Sequence, residues 1–257
     1  MLDFAMNNRA RRSSNKSPHR YRAPLDVRET LLPDLLEASG RGALKDRQLD
    51  LLRSQGSTSK HVQLYFSGDL SLIDKPSVAI VGSRAVSNAG RLRASRLARE
   101  LINSGFVVVS GLAAGVDSAA HRAAIESGGS TIAVIGTPLE RAYPAENAAL
   151  QEEIYRNHLL VSPFSAGERT YRSSFPKRNR VMAAITDATV IVEASDTSGS
   201  LHQAAECVRL GRWLFIAKSL VDNRDLTWPE KFLRVGGKTA VLTKTSDLVR
   251  AVLSERP

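Results

Sequence analysis

The sequence has few cysteines and no long apolar run, and each shortage excludes a class of structure. Its single cysteine, Cys207, cannot form an intrachain disulfide or a cysteine-based metal site. No apolar run approaches the roughly 20 residues that cross a bilayer, and the first residues lack the apolar core of a signal peptide. We therefore expect a cytoplasmic protein without a membrane span, a bound metal or a cofactor.

Acidic residues are scarce relative to basic ones. The 257 residues include 36 Lys and Arg but 26 Asp and Glu, a net charge of +10. An excess of this size points to a polyanion, nucleic acid first and an anionic membrane second. Six basic residues and one acid, Asp3, lie within residues 1–24. We predict a disordered basic arm there, and its composition suits phosphate attraction and the absence of any specific role equally well.

Two nucleotide-binding fingerprints are also missing. The sequence contains no G-x-G-x-x-G and no G-x-x-x-x-G-K-[ST] motif. Because the second motif holds the phosphates of ATP in P-loop proteins, we do not expect P-loop ATP hydrolysis.

From Pro76 onward, short apolar runs alternate with amphipathic segments of helical length. Continuous runs rich in Val and Ile suit strands buried on both faces of a parallel sheet. The fold class is therefore predicted to be α/β, a doubly wound, mostly parallel, extended Rossmann-like sheet over residues 64–257. Residues 25–63 show weaker periodicity and predict a short helical segment. The predicted strands are 77–82, 106–111, 131–136, 159–164, 188–194, 213–217 and 239–243.

Polar, glycine-bearing turns follow several of these strands. They read GSRAVSNAGR, SGLAAGVDSAAH, GTPLERAYPAEN and EASDTSGS. Since ligands of open parallel sheets lie beyond the carboxyl ends of the strands, these turns should converge on one crevice.

Two of the turns combine glycine with hydroxyl side chains in patterns that suit phosphate. In the first, a glycine lets the backbone approach a ligand, and a serine and an arginine offer donors. In the second, two serines flank a glycine at a predicted helix start, where N–H groups attract anions. Plain helix capping explains this second pattern equally well. The residues are Gly82, Ser83 and Arg84, then Ser198, Gly199 and Ser200.

A basic stretch, SFPKRNRVMAAI, places Lys177, Arg178 and Arg180 at the predicted first turn of a helix. Unpaired N–H groups at such a turn favour anions. We predict that these cations and Arg84 surround the crevice and hold several phosphates, so that binding weakens steeply with salt.

Neighbouring side chains could contact bases. Asn179 is suited to a base edge or to backbone, and Phe175 and Tyr143 are suited to stacking. A hydrophobic staple before the helix explains Phe175 equally well.

Asp117 and His121 lie one helical turn apart. A catalytic pair is one interpretation. We favour the other, in which Asp117 caps the helix start and His121 packs or bonds to backbone. We assign no catalytic residue and no metal ligand.

Taken together and in this order, the motifs resemble those of the DprA/Smf family of bacterial DNA-processing proteins. The matching segments are YFSGDLSLIDKPSVAIVGSR, SGLAAGVDSAAH, TIAVIGTPLERAYPAEN and FPKRNRVMAAITDATVIVEASDTSGSL, over roughly residues 64–217. The resemblance implies an extended Rossmann fold, single-stranded DNA binding in DNA uptake, transformation or recombination, a homodimer, and loading of the RecA recombinase. The DNA contacts that it implies are Gly82, Ser83, Arg84, Lys177, Arg178, Asn179, Arg180, Ser198, Gly199 and Ser200.

The sequence also departs from the family pattern. After SGSL it continues HQAAECVRLG, and it ends near the predicted sheet. We therefore expect a divergent member without the C-terminal winged-helix domain that many members carry.

A different function stays open from the residues alone. The wider Rossmann group includes nucleotide N-glycosidic hydrolases with a Gly-Gly-x-Gly-Thr-x-x-Glu pattern, and a nucleotide sensor in phage defence would use a similar site. Here Ser200 takes the threonine position and Gln203 the glutamate position, and an amide cannot act as a general base. Glu193, Glu206 and His202 are the possible substitutes, so binding without catalysis is expected and hydrolysis is the alternative.

Overall fold

A computed structural model describes residues 20–40 and 62–256. Within them, one nine-stranded sheet has the order β1-β2-β6-β5-β4-β3-β7-β8-β9. Strands β3 to β9 are parallel, whereas β1 and β2 form an antiparallel edge next to β6. The strands are β1 (Arg28–Leu31), β2 (Gln63–Gly68), β3 (Ser77–Gly82), β4 (Val107–Ser110), β5 (Thr131–Val134), β6 (Leu159–Ser162), β7 (Ala188–Glu193), β8 (Trp213–Ala217) and β9 (Thr239–Leu242).

Helices cover both faces of this sheet. They are α1 (Leu32–Ala38), α2 (Asn88–Asn103), α3 (Val116–Glu126), α4 (Ala148–Asn157), α5 (Ser174–Ile185), α6 (Ser200–Arg209), α7 (Lys218–Val221), α8 (Trp228–Val235) and α9 (Thr245–Leu253). Helices α1 and α5 to α8 pack on one face, and α2, α3, α4 and α9 pack on the other. Alternate residues of a strand point to opposite faces, so Val78 and Ile80 of β3 join one core while Ala79 and Val81 join the other.

The doubly wound sheet and all seven predicted strands are confirmed. Each observed strand lies inside its predicted run, and its last residue is at most two positions before the end of that run. Their continuous apolar content identified them because β3 to β8 are buried on both faces, whereas the edge strand β9 is partly exposed.

Strand β3 is the point from which the chain winds in both directions. It pairs with β4 on one side and with β7 on the other. The turn after β3 leads to α2 on one face, and the turn after β7 leads to α6 on the opposite face. Turns that diverge in this way leave a crevice at the carboxyl ends of the two strands.

The N-terminal prediction needs two corrections. Residues Arg28–Leu31 form the edge strand β1 instead of a helix, and only α1 of the predicted helices is found among the described residues. The further helices predicted within 44–52 lie outside them. So does the predicted arm as far as residue 19.

The last residues of the predicted arm are held against helix α4 and the loop after β5. The hydroxyl of Tyr21 donates to the carbonyl of Leu139 at 2.6 Å, and the backbone N–H of Arg22 donates to Glu152 at 2.8 Å. Disorder was therefore the wrong prediction for these residues. In the part of the chain that the structure covers, no helix has both the length and the apolar composition of a membrane span.

Candidate nucleic-acid interface

A crevice of about 360 Å³ lies where β3 and β7 end. Three of the four turns predicted to converge, those after β3, β4 and β7, contribute to its lining, whereas the turn after β5 contributes no lining residue. Its polar lining residues are Ser83, Arg84, Asp117, Arg178, Asn179, Ser195, Thr197, Ser198, Ser200 and Gln203, joined by Gly82 and Gly199.

Gly82 allows β3 to end close to β7. The pairing of the two strands shifts register after Val81, and the N–H of Ser83 donates to the carbonyl of Glu193 at 2.7 Å. A Cβ on Gly82 would lie 2.7 Å from that carbonyl oxygen and equally close to Cγ2 of Val116. A larger residue would therefore push the strand ends apart and move the turn that carries Arg84.

Glu193 fastens the same turn to helix α2. Its carboxylate accepts hydrogen bonds from the N–H and the hydroxyl of Ser87 at 2.8 and 2.5 Å. The Ser87 hydroxyl in turn accepts from the N–H of Gly90 and so caps α2. A negative charge at a helix N-terminus is favourable, so Glu193 has a structural partner and role.

Arg84 is the exposed cation at the rim of the crevice. Its guanidinium carbon lies 5.2 Å from the centre of the Phe175 ring, and it forms no ion pair with another described residue. The Phe175 ring packs against Gly136 and lies 5.8 Å from the ring of Tyr143, whose exposure is 48%. A guanidinium with no hydrogen bond to another described residue therefore stands beside the Phe175 ring, which in turn lies next to Tyr143.

Arg178, by contrast, is a buried cation. Its Nη1 donates to the carbonyls of Gly111 and Val134 at 2.5 and 2.7 Å, and its Nε donates to Asn179 at 2.9 Å. Burial lowers the pKa of Arg178, and the nearby Asp117 opposes that shift. Within the described residues its Nη2 has no hydrogen-bond partner. Arg178 thus fixes a charge in the crevice wall and leaves one nitrogen for a ligand.

Asp117 and His121 do not act as a pair. Asp117 lies in the first turn of α3 and accepts from the N–H of Ala113, and burial raises its pKa. His121 is fully buried and its Nδ1 lies 2.7 Å from the hydroxyl of Thr131. Burial lowers the pKa of His121 to about 3, so the ring is neutral. The structural interpretation is confirmed for the buried His121, but no side chain caps α3, whose N-cap is Gly115, so Asp117 is an acid of the first turn and not the predicted cap.

Lys177 and Arg180 lie outside the crevice. The Nζ of Lys177 lies 4.8 Å from the centre of the Phe164 ring, and Nε of Arg180 lies 3.3 Å from a carboxylate oxygen of Glu206. Helix α5 begins at Ser174, earlier than predicted. Residues 177–180 therefore lie inside the helix and span about one full turn, so their side chains point in different directions around the helix axis. The prediction that four cations surround one crevice was wrong for these two, and their contact with a ligand stays a prediction.

The turn before α6 combines a fixed and a free hydroxyl. The Ser198 hydroxyl accepts from the N–H of Ser195 at 2.8 Å, a bond within the turn and not a helix cap, so the capping alternative was wrong. The hydroxyl of Ser200 is buried and has no partner among the described residues. No side chain caps α6, so its first N–H groups also face no side-chain acceptor.

Gln203 is a crevice residue that the prediction of the binding site missed. It is 1% exposed, and its Oε1 has no partner among the described residues. Its position three residues after Ser200 places both on one face of α6, which was the available signal. Among the proposed carboxylate substitutes, Glu193 binds Ser87, and Glu206 pairs with Arg180 and Arg209. The geometry therefore does not favour hydrolysis.

Comparison with known families identifies the family of the chain. A family model described as DNA recombination-mediator protein A matches residues 51–252 of the chain. The chain belongs to this family. The resemblance to DprA/Smf proteins is thereby confirmed.

A relative in the DNA recombination-mediator protein A family has a similar sequence. The DNA processing protein DprA of Streptococcus pneumoniae is 43% identical over 163 residues, which are 63% of this chain and 57% of the relative. The chain thus spans less than two thirds of that protein.

Two solved structures of DNA processing protein A have the same fold. The crystal structure of the Streptococcus pneumoniae protein has a TM-score of 0.67 and 36% identity, covering 77% of this chain and 68% of the other. A Helicobacter pylori structure, described for its single-stranded DNA binding mode, has a TM-score of 0.66 and 29% identity, covering 76% and 88%.

Proposed function

We propose that this protein binds single-stranded DNA in the crevice between β3 and β7 and serves DNA processing and recombination by binding, without catalysis. The observation that carries the proposal is Arg84, an exposed guanidinium without an ionic partner, which stacks on Phe175 at the rim of the crevice. Such a group offers its donors to phosphate oxygens.

The crevice combines several groups that bind phosphate. Arg84 stands at the rim, Nη2 of Arg178 is free of protein hydrogen bonds among the described residues, and the hydroxyl of Ser200 is unpartnered. The uncapped start of α6 adds backbone N–H groups. We assign the phosphates of the strand to these groups.

The adjacent aromatic rings suit bases. Tyr143 is half-exposed and Phe175 lies between it and Arg84. Bases of a single strand stack on such rings whatever their sequence, at about 1–3 kcal/mol per base. Bases in a duplex are already stacked and paired, so this contact favours the single strand.

The relatives support the same function. The Helicobacter pylori protein binds single-stranded DNA, and its fold covers most of this chain. From the resemblance to DprA/Smf proteins we infer a cytoplasmic protein that acts as a homodimer with a RecA-type recombinase, in transformation or recombination. Light scattering of the purified protein, alone and with recombinase and DNA, tests these partnerships.

The binding test is a titration against single-stranded DNA, duplex DNA and mononucleotides. We expect single-stranded DNA to bind at least about tenfold more tightly than duplex, the equivalent of one stacked base. Preference for a mononucleotide, with release of its base, would instead identify a hydrolase.

A further inference from the structure

A second groove adjoins the crevice. It has a volume of about 540 Å³ and lies between helices α2 and α3. Arg84 lines both the crevice and this groove. A chain-like ligand that leaves the crevice at Arg84 can therefore continue into the groove.

The groove contains two further arginines with unused donors. Arg91 lies in the first turn of α2 and Arg122 lies on α3, and both are exposed. Neither forms an ion pair with another described residue, whereas Arg93 and Arg96 of α2 pair with Glu193 and with Glu100. An unpaired guanidinium can bind phosphate with two parallel hydrogen bonds.

Close packing at the start of α3 sets the direction of the groove. A Cβ on Gly115 would lie only 2.3 Å from the carbonyl oxygen of Ser83 and 2.5 Å from that of Arg84, so the helix starts against the crevice turn. Arg122 follows seven residues later, about 10 Å along the helix at 1.5 Å per residue. The groove thus leads away from the crevice.

The other charges in the groove matter for its mode of binding. Glu126 and Glu146 also line it, so three arginines and two glutamates give a formal charge of +1. A net charge this small does not produce a strong positive potential that would attract a polyanion from a distance. Arg91 and Arg122 must therefore act through direct contacts, and the lining is too polar for an apolar peptide.

We propose that a single strand of nucleic acid continues from the crevice over Arg84 into this groove, where Arg91 and Arg122 bind its phosphates. The proposal rests on the proposed function, because it extends the strand that the crevice binds. The complete site is then longer than the crevice, and affinity rises with oligonucleotide length until the groove is filled.

The test compares two lengths of oligothymidylate, about 4 and about 16 nucleotides. Arg91→Ala/Arg122→Ala should weaken binding of the long strand about tenfold and of the short strand less than about twofold. The salt slope for the long strand should fall by about 1.4, or about 0.7 for each lost phosphate contact.

The matched control is Arg99→Ala/Arg250→Ala, which removes two exposed arginines outside the crevice and the groove that form no ion pair with another described residue. Its long-strand affinity should stay near that of the wild type. The groove proposal is overturned if the control loses as much affinity, if both lengths weaken equally, or if the double variant binds like the wild type. A wild type that binds neither strand would overturn the proposed function as well.

Discussion

Two arginines of the crevice have opposite environments and therefore different roles. Arg84 is exposed and unpaired among the described residues, so its charge is available to a ligand. Arg178 is 6% exposed and bonded to the carbonyls of Gly111 and Val134. The fold positions a buried cation of this kind, and the hydrogen bonds of the cation in turn stabilise the fold.

Replacing Arg178 should therefore reduce stability. Arg178→Met leaves two buried carbonyls without their charged donor, and we expect the free energy of unfolding to fall by about 2–4 kcal/mol. Urea unfolding measures this change. Arg84→Ala is the control and should change the free energy by less than about 0.5 kcal/mol. Equal stability of the two variants would show that Arg178 is not a structural cation.

His121 should make the protein sensitive to acid. Its pKa is lowered to about 3 by burial, so the folded protein leaves it neutral while the unfolded chain protonates it near its ordinary value of 6.5. Stability from this group is complete above 6.5 and is lost as the pH falls toward 3.

The measurement is urea unfolding of wild type and His121→Asn at about pH 7.5 and about pH 5.5. We expect the wild type to lose about 1.4 kcal/mol more than the variant over this interval. The buried His158, whose pKa burial also lowers, is present in both proteins, so its own contribution is subtracted in the comparison. Parallel losses in the two proteins would contradict a neutral, buried His121.

Helix α2 carries the crevice turn at its N-terminus, where Ser87 and Glu193 hold it. Ser87→Ala removes the cap and should cost about 1 kcal/mol of stability. It should also weaken single-stranded DNA binding, because the turn that carries Arg84 loosens. Ser104→Ala at the other end of α2, where the hydroxyl donates to the carbonyl of Glu100, should leave binding unchanged. If Ser87→Ala and Ser104→Ala changed DNA affinity equally, the claim that the Ser87 cap positions the binding site would be contradicted.

The sequence predicted the central elements better than the edge elements. Strands β3 to β8 were evident because apolar residues fill both faces of a buried parallel strand, and the partly exposed β9 was evident from its short apolar run. Strand β1 was missed because it has four residues, two of them exposed, and its partner β2 begins more than thirty residues later. The start of α5 was placed too late, since Pro176 lies within its first turn rather than before it.

At the scale of the whole molecule, the winding of the chain created the site. Turns after β3 and β7 were expected to meet because parallel strands end at one edge, and they do. Which side chains of α5 face the crevice was not predictable, because that depends on helix rotation and on a distant partner. Glu206, 26 residues after Arg180, pairs with it and removes it from the site.

The central claim is that the rim of this crevice grips a single strand of DNA through Arg84. The most direct measurement is the affinity of wild type, Arg84→Ala and Arg99→Ala for one single-stranded oligonucleotide at two salt concentrations. We expect Arg84→Ala to weaken binding about tenfold or more and to lower the salt slope by about 0.7, while Arg99→Ala matches the wild type. Unchanged affinity in Arg84→Ala, or the same loss in both variants, would contradict the account.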